Sequence, residues 1–249
     1  MSGEDRWLFE REERRRRRGT RTRSAARKEV RNLQPKNDLS FLHRPKGDSR
    51  GGVALTHGAG GNYNAQILLA VAKAFVAAQW TVLRYTLPFR RERPYGPPMP
   101  KSAAADQAGI REALSGLRKM VEGPIIAGGI SYGARQTTML AAEEPWICQA
   151  ILALSYPLHA PRKPEVMRTA HFPTLHTPIL FVHGTRDEFG TAEEVQDAIR
   201  KIPARHRLSI VDGAGHDLRS GKFDVESRVV QEMEQLLFPA AAESVVELH

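Results

Sequence analysis

An α/β fold, with a mainly parallel central sheet and helices on both faces, is what this chain predicts, and three observations carry the prediction. Short apolar runs rich in strand formers alternate with helix-length amphipathic segments from residue 39 onward. One of those runs, GVALT at 52–56, has no polar alternation before its final threonine, as expected of a strand buried on both faces. A third observation is PIIAGGISYGARQTTMLAA at 124–142, an apolar run that turns abruptly at a glycine-flanked serine into a helix-compatible segment. The sequence holds no internal repeat, and one α/β domain is expected within its 249 residues.

Taken in order, residues 39–43 read as a short strand and 52–56 as a buried strand that runs into HGAGGN. Residues 65–78 read as an amphipathic helix and 80–85 as the next strand. The proline- and arginine-rich stretch 88–100 reads as a loop. A helix over 102–121 follows, with Ser102 as its N-cap and Gly123-Pro124 as its stop. The central strand, its turn and the helix after it come next. Residues 149–155 read as a strand, 156–177 as a loop with four prolines and 179–183 as a strand. The spacing then gives a helix over 192–201, a strand over 208–211 and a last helix over 225–238. Only about 20 residues separate the strands on either side of the four-proline loop, too few for a separate lid, so no large cap domain is expected.

Charge is unevenly placed. Residues 1–36 hold 13 Lys/Arg against 6 Asp/Glu, including the run Arg14 to Arg18, whereas the remainder holds 24 against 22. The net charge of +9 therefore belongs mostly to the front of the chain. With few apolar residues and no period, residues 1–37 are expected to be a disordered Arg-rich tail, 38–240 the folded domain, and 241–249 a C-terminal tail. The front segment lacks the apolar stretch of a secretory signal. It is a solvated extension on the simplest reading, and nucleic-acid contact is expected, if at all, only through it. The 41% hydrophobic content suffices for a sizeable core, and no apolar run is long enough for a membrane span. The single cysteine, Cys148, excludes an intrachain disulfide and reads as core filler at the start of a strand. No Cys/His spacing suggests a metal, no cofactor is expected, and the composition suits a cytoplasmic protein. Nothing in the sequence fixes the oligomeric state.

Gly129 and Gly133 flank Ser131 as G-x-S-x-G. A strand that reverses directly into a helix crowds the positions two before and two after its apex, which suits glycine there, and it raises the apical hydroxyl above the sheet edge beside a helix N-terminus. Ligands of open α/β sheets sit at the carboxyl ends of the strands, and three more such ends carry suggestive residues: HGAGGN after 52–56, GTRD after 179–183 and DGAGH after 208–211. Ser131, Asp187 and His216 follow in the order expected around a nucleophile elbow. A serine hydroxyl needs a neutral imidazole to take its proton, the imidazole needs a carboxylate to orient it, and a tetrahedral oxyanion needs two N–H donors. The backbone amides of Ala59 and Tyr132 are the expected donors. Asp212 and Asp217 lie too near His216 in sequence to face its ring, and His57 and His183 read as structural hydrogen-bonders at strand ends. Gly60, Tyr156, His171 and Arg90 are expected to contact substrate. Two loops are basic, one with Arg90, Arg91 and Arg93, the other with Arg162, Lys163 and Arg168, and can attract an anionic substrate or be solvated surface.

Five stretches carry a family resemblance: THGAGGN (56–62), GGISYGARQ (128–136), LSYPLHAPRKPE (154–165), FVHGTRDEFG (181–190) and GAGHDL (213–218). In these the chain resembles an α/β-hydrolase of the dienelactone-hydrolase-like kind. More narrowly it resembles the branch that includes bacterial hydrolase-like proteins, a testis-expressed protein and the hydrolase-like subunit of a chromatin acetyltransferase complex. The likeness spans roughly residues 38 to 238. It implies the α/β-hydrolase fold, with Ser131 as nucleophile, Asp187 as orienting acid and His216 as base. Dienelactone hydrolases proper carry cysteine at the elbow, where this chain has Ser131. The expected activity is hydrolysis of a small-molecule carboxylic ester or thioester through an acyl-enzyme, with a non-catalytic binding or scaffolding module as the alternative.

Overall fold

The computed structural model describes residues 39–161, 163–219 and 224–239. The expected tails, 1–37 and 241–249, lie outside the described residues, as does Arg162.

Seven strands make one sheet: β1 (Ser40–His43), β2 (Gly52–Thr56), β3 (Thr81–Tyr85), β4 (Ile125–Ile130), β5 (Ala150–Leu154), β6 (Ile179–Gly184) and β7 (His206–Val211). Their spatial order is β1-β3-β2-β4-β5-β6-β7; β1 runs antiparallel to β3, and every other pairing is parallel. Among the described residues the α-helices are α1 (Gln66–Ala77), α2 (Pro88–Glu92), α3 (Ala103–Arg118), α4 (Tyr132–Glu143), α5 (Ala192–Ile199) and α6 (Val225–Leu237).

The strand period of two sorts the core into two layers. Ala54, Ile125, Ala127, Ile151, Ala153 and Phe181 face one side, where they pack with Ile110 and Leu114 of α3, Leu140 of α4 and Val195 of α5. Val53, Leu55, Ile126, Leu152, Leu180 and Val182 face the other, with Leu68 and Phe75 of α1 and Val229 and Met233 of α6. Because both faces are covered, the central strands are apolar throughout, which is why GVALT, IIAGGI and AILAL are buried at every residue. Among the described residues no helix is long and apolar enough to cross a membrane.

Two expectations differ from the structure. The stretch 88–100 is not all loop: Pro88 sits in the first turn of α2, where its missing N–H costs nothing. Ser102 is not a capping side chain, because it is the last residue of a 3₁₀ turn, Pro100–Ser102, that feeds straight into α3. A capping box is present on α5 instead, where Thr191 and Glu194 each bond the other's backbone N–H.

The register aligns the strand ends that matter. Thr56 pairs with Gly129, Ile130 with Leu154, Leu154 with Val182 and Gly184 with Val211. The segments that follow β2, β4, β6 and β7 therefore leave from one edge of the sheet.

Candidate active site

Ser131 lies between β4 and α4 with φ 54° and ψ −116°, a left-handed backbone that a non-glycine residue adopts only when its surroundings hold it. Its N–H bonds the Leu154 carbonyl at 2.9 Å, and its carbonyl accepts from Arg135 N–H at 3.0 Å, so the sheet holds one side and the helix the other. The flanking glycines are required by close approach. A Cβ on Gly129 would lie 2.8 Å from Thr56 O, and one on Gly133 2.6 Å from His57 O.

His216 stands in the turn after β7 with its Nε2 2.8 Å from Ser131 Oγ. Its Nδ1 lies 2.9 and 2.8 Å from the two oxygens of Asp187, which follows β6. With a carboxylate accepting at Nδ1, that nitrogen carries the hydrogen, and Nε2 is left as the acceptor facing the serine. The Asp187 side chain has 0% exposure and that of His216 24%, so the carboxylate is dry while the imidazole edge reaches solvent. Asp187 also accepts from Phe189 N–H at 2.9 Å, and the Phe189 ring stacks on His216 with centroids 4.1 Å apart. The rival carboxylates are used elsewhere: Asp212 accepts from the Thr185 hydroxyl at 3.2 Å, and Asp217 pairs with Arg219 at 2.8 Å.

The loop after β2 lies against the serine, because a Cβ on Gly58 would sit 3.2 Å from Ser131 Cβ. His57 is fully buried and sets this loop. Its Nε2 accepts Leu87 N–H at 3.0 Å, which leaves Nδ1–H to donate to Gly58 O at 2.8 Å. Gly58 O also accepts from Gly61 N–H at 3.1 Å. In a trans peptide the N–H points opposite to the C=O, so fixing Gly58 O aims Ala59 N–H away from the His57 ring. Tyr132 N–H is in the first turn of α4, where the helix supplies no acceptor. Neither amide bonds a backbone acceptor among the described residues.

Arg90, expected to contact substrate, is drawn into the fold instead. It is 8% exposed, and its guanidinium donates to the carbonyls of Gly61 (3.0 Å), Arg93 (3.1 Å), Gly96 (3.0 Å) and Ala59. It is a clamp on the 58–61 loop, with every described hydrogen-bond partner a carbonyl of its own chain. Tyr156 is also internal: 1% exposed, packed on Phe172 and Phe181, with its hydroxyl donating to Arg168 O at 2.6 Å. Arg90 was expected at the site from the basic loop that carries it and Tyr156 as a pocket-lining residue; both are buried, so neither offers a side chain that a substrate can reach. His171 Nε2–H donates to Thr138 Oγ1 at 2.9 Å, which ties the four-proline loop to α4, and Gly60 is exposed at its loop apex. His183 donates from Nε2 to Gly190 O at 2.8 Å, as a strand-end structural histidine would. Burial pushes the Cys148 thiol up to about 12. Among the described residues no cluster of His, Cys, Asp or Glu is arranged to hold a metal ion. Sequence reasoning missed Phe189 and the clamping role of Arg90, since neither stacking on His216 nor carbonyls some 30 positions away leaves a local pattern.

Three imidazoles near these loops are held neutral. His43, His57 and His171 are each lowered from the ordinary 6.5 to about 4, first by burial; Arg84 and Lys73 add to this at His43, and Arg135 at His171. At His57 the bond to Gly58 O opposes burial and Arg90 reinforces it. Each folded-state value lies below the unfolded one, so this stabilisation is fully present above about 6.5 and is lost as the pH falls from there through about 4. The thermal unfolding midpoint is expected to fall across that window, and His171→Gln to make the profile shallower. A midpoint constant from pH 7 to 4 would contradict this.

Residues 49–242 match the family described as the alpha/beta hydrolase domain. Among solved structures, TT1662 from Thermus thermophilus superposes with a TM-score of 0.63 at 20% identity, over 81% of this chain and 95% of that one. Dienelactone hydrolase from Anabaena variabilis gives 0.60 at 20% identity, over 79% and 89%. XC6422 from Xanthomonas campestris, an α/β serine hydrolase without a lid, gives 0.59 at 16%, over 82% and 90%. At these identities the likeness is one of fold; among the described residues only a 3₁₀ turn, Phe172–Thr174, lies between β5 and β6, with no cap domain. The family match spans most of the chain, from ahead of β2 to the end of α6, and on that ground the chain belongs to the alpha/beta hydrolase family, with a dienelactone-hydrolase-like fold.

Proposed function

We propose that the protein is a serine hydrolase that cleaves a small-molecule carboxylic ester or thioester through an acyl-enzyme. The observation that carries this reading is the hydrogen-bonded chain from Ser131 Oγ through His216 to Asp187, with 2.8 Å at each of its two closest contacts. His216 Nε2 takes the Ser131 proton as Oγ attacks the acyl carbon, and Asp187 stabilises the imidazolium through Nδ1–H. The oxyanion of the tetrahedral intermediate is received by Ala59 N–H and Tyr132 N–H, two amides without a backbone partner among the described residues. When the intermediate collapses, the imidazolium gives its proton to the leaving alkoxide or thiolate, and Ser131 retains the acyl group. Water then attacks that ester with His216 again as base, which releases the acid and restores the serine. A strained, left-handed Ser131 backbone at the head of a helix is the geometry this chemistry uses, and a non-catalytic module has no call for it.

Labelling with a fluorophosphonate probe tests the reading. Wild type is expected to label at one site, with the label lost in Ser131→Ala and in His216→Ala. A folded wild type that does not label, or a Ser131→Ala protein that does, would overturn it.

A further inference from the structure

Among the described residues only two carboxylate residues are buried, Asp187 and Asp106. Asp187 is accounted for by His216. Asp106 has 0% exposure on α3 and forms no salt bridge among the described residues. Burial is the main reason that its carboxyl is pushed above the ordinary range; its two hydrogen bonds act against that rise. A buried carboxylate with no cation is an expensive way to hold a fold together, and a packed apolar residue would do it better. Its two partners indicate what it is kept for.

Asp106 Oδ1 accepts Phe89 N–H at 2.9 Å, and Oδ2 accepts the Tyr132 hydroxyl at 2.7 Å. Phe89 belongs to α2, whose next residue, Arg90, clamps the carbonyls of Ala59 and Gly61. Tyr132 opens α4 directly after Ser131. The Phe89 ring joins the two sides: it meets the Tyr132 ring edge-on at 5.4 Å and lies 5.6 Å from the His57 ring. One carboxylate thus touches both supports of the two candidate oxyanion donors, which come from loops far apart in the chain.

We propose that Asp106 is a positioning residue that sets the spacing between the Ala59 and Tyr132 amides, one oxygen holding α2 and its Arg90 clamp, the other holding the Tyr132 side chain. This rests on the hydrolase reading above. An oxyanion hole must be in place before charge develops, and a displacement of a fraction of an ångström at either donor is felt in the transition state more than in substrate binding. Asp106 therefore acts on kcat.

The test is steady-state hydrolysis of p-nitrophenyl butyrate, with thermal unfolding alongside, for wild type, Asp106→Ala, Asp106→Asn, Tyr132→Phe and the Asp106→Ala/Tyr132→Phe double variant. Asp106→Ala is expected to lower kcat about 10- to 100-fold, the range for one misplaced donor, with KM within about threefold. Asp106→Asn keeps an oxygen for Phe89 N–H and offers its amide to the Tyr132 oxygen, and it restores most of kcat. Adding Tyr132→Phe to Asp106→Ala costs little more, because the bond is already gone. Should Asp106→Ala fail to fold, Asp106→Asn and Tyr132→Phe carry the test, Tyr132→Phe then lowering kcat several-fold at constant KM. If wild type hydrolyses the ester and the variants lose unfolding temperature but keep kcat, or if kcat and KM move together, Asp106 is structural and this inference alone falls. If wild type neither hydrolyses the ester nor reacts with a fluorophosphonate, the hydrolase reading falls and takes this inference with it.

Discussion

Replacing Ser131 by alanine is expected to lower kcat for ester hydrolysis by about 10⁴- to 10⁶-fold, and adding His216→Ala to that variant to cost almost nothing more. The reason is the geometry of a shared proton. His216 Nε2 is 2.8 Å from Ser131 Oγ and has work to do only when that hydroxyl is present. The two residues are one unit, so their losses do not add. Asp187→Asn belongs to the same series, with an expected loss of about 10⁴, because an amide that donates toward Nδ1 favours the wrong imidazole tautomer. None of these substitutions removes apolar core, so the unfolding midpoint should stay within a few degrees of wild type. Single-turnover and steady-state assays on the three single variants and the double variant check the pattern. Full additivity of the Ser131 and His216 losses would show that the two side chains act separately.

Arg90→Met is expected to lower kcat by about 10²- to 10³-fold, the scale of losing one oxyanion donor, while KM changes far less. Methionine matches the length of the arginine stem but supplies no hydrogen for the carbonyls of Ala59, Gly61, Arg93 and Gly96. Those carbonyls then turn toward water, and the loop loses its restraint on the side of Ala59 that follows the Gly58–Ala59 peptide. Arg90→Lys should recover only part of the loss, since an ammonium cannot reach four carbonyls in the plane of a guanidinium. A contact with an anionic substrate, the role the sequence suggested, would instead raise KM for charged esters and leave neutral ones untouched. The two outcomes are separated by one pair of substrates.

The contrast at Arg90 shows what the sequence can express. Strands buried on both faces were legible because burial removes polar alternation, as in GVALT and AILAL, and the turn at Ser131 was legible because close approach leaves a local mark in the form of Gly129 and Gly133. Asp187 and His216 stood out by following strand ends. The helix α2 left no mark: with five residues it is too short for a helical period, and its proline and arginines read as loop. Arg90 and Tyr156 carried the right chemistry for a pocket, but whether a side chain turns outward or inward depends on carbonyls and rings contributed by distant segments. Asp106 reads along the chain as an ordinary first-turn acid favoured by the helix dipole. Its second partner, Tyr132, lies 26 positions away.

The sheet order has a consequence for how the protein comes into being. Among the described residues β7 is the last strand and lies at one edge of the sheet, hydrogen-bonded only to β6. The turn that delivers His216 follows it. In order of synthesis His216 comes after both Ser131 and Asp187, so its turn is the last part of the candidate site to be made. On the hydrolase reading proposed above, Ser131 has no base until the segment after β7 has been made and β7 has paired with β6.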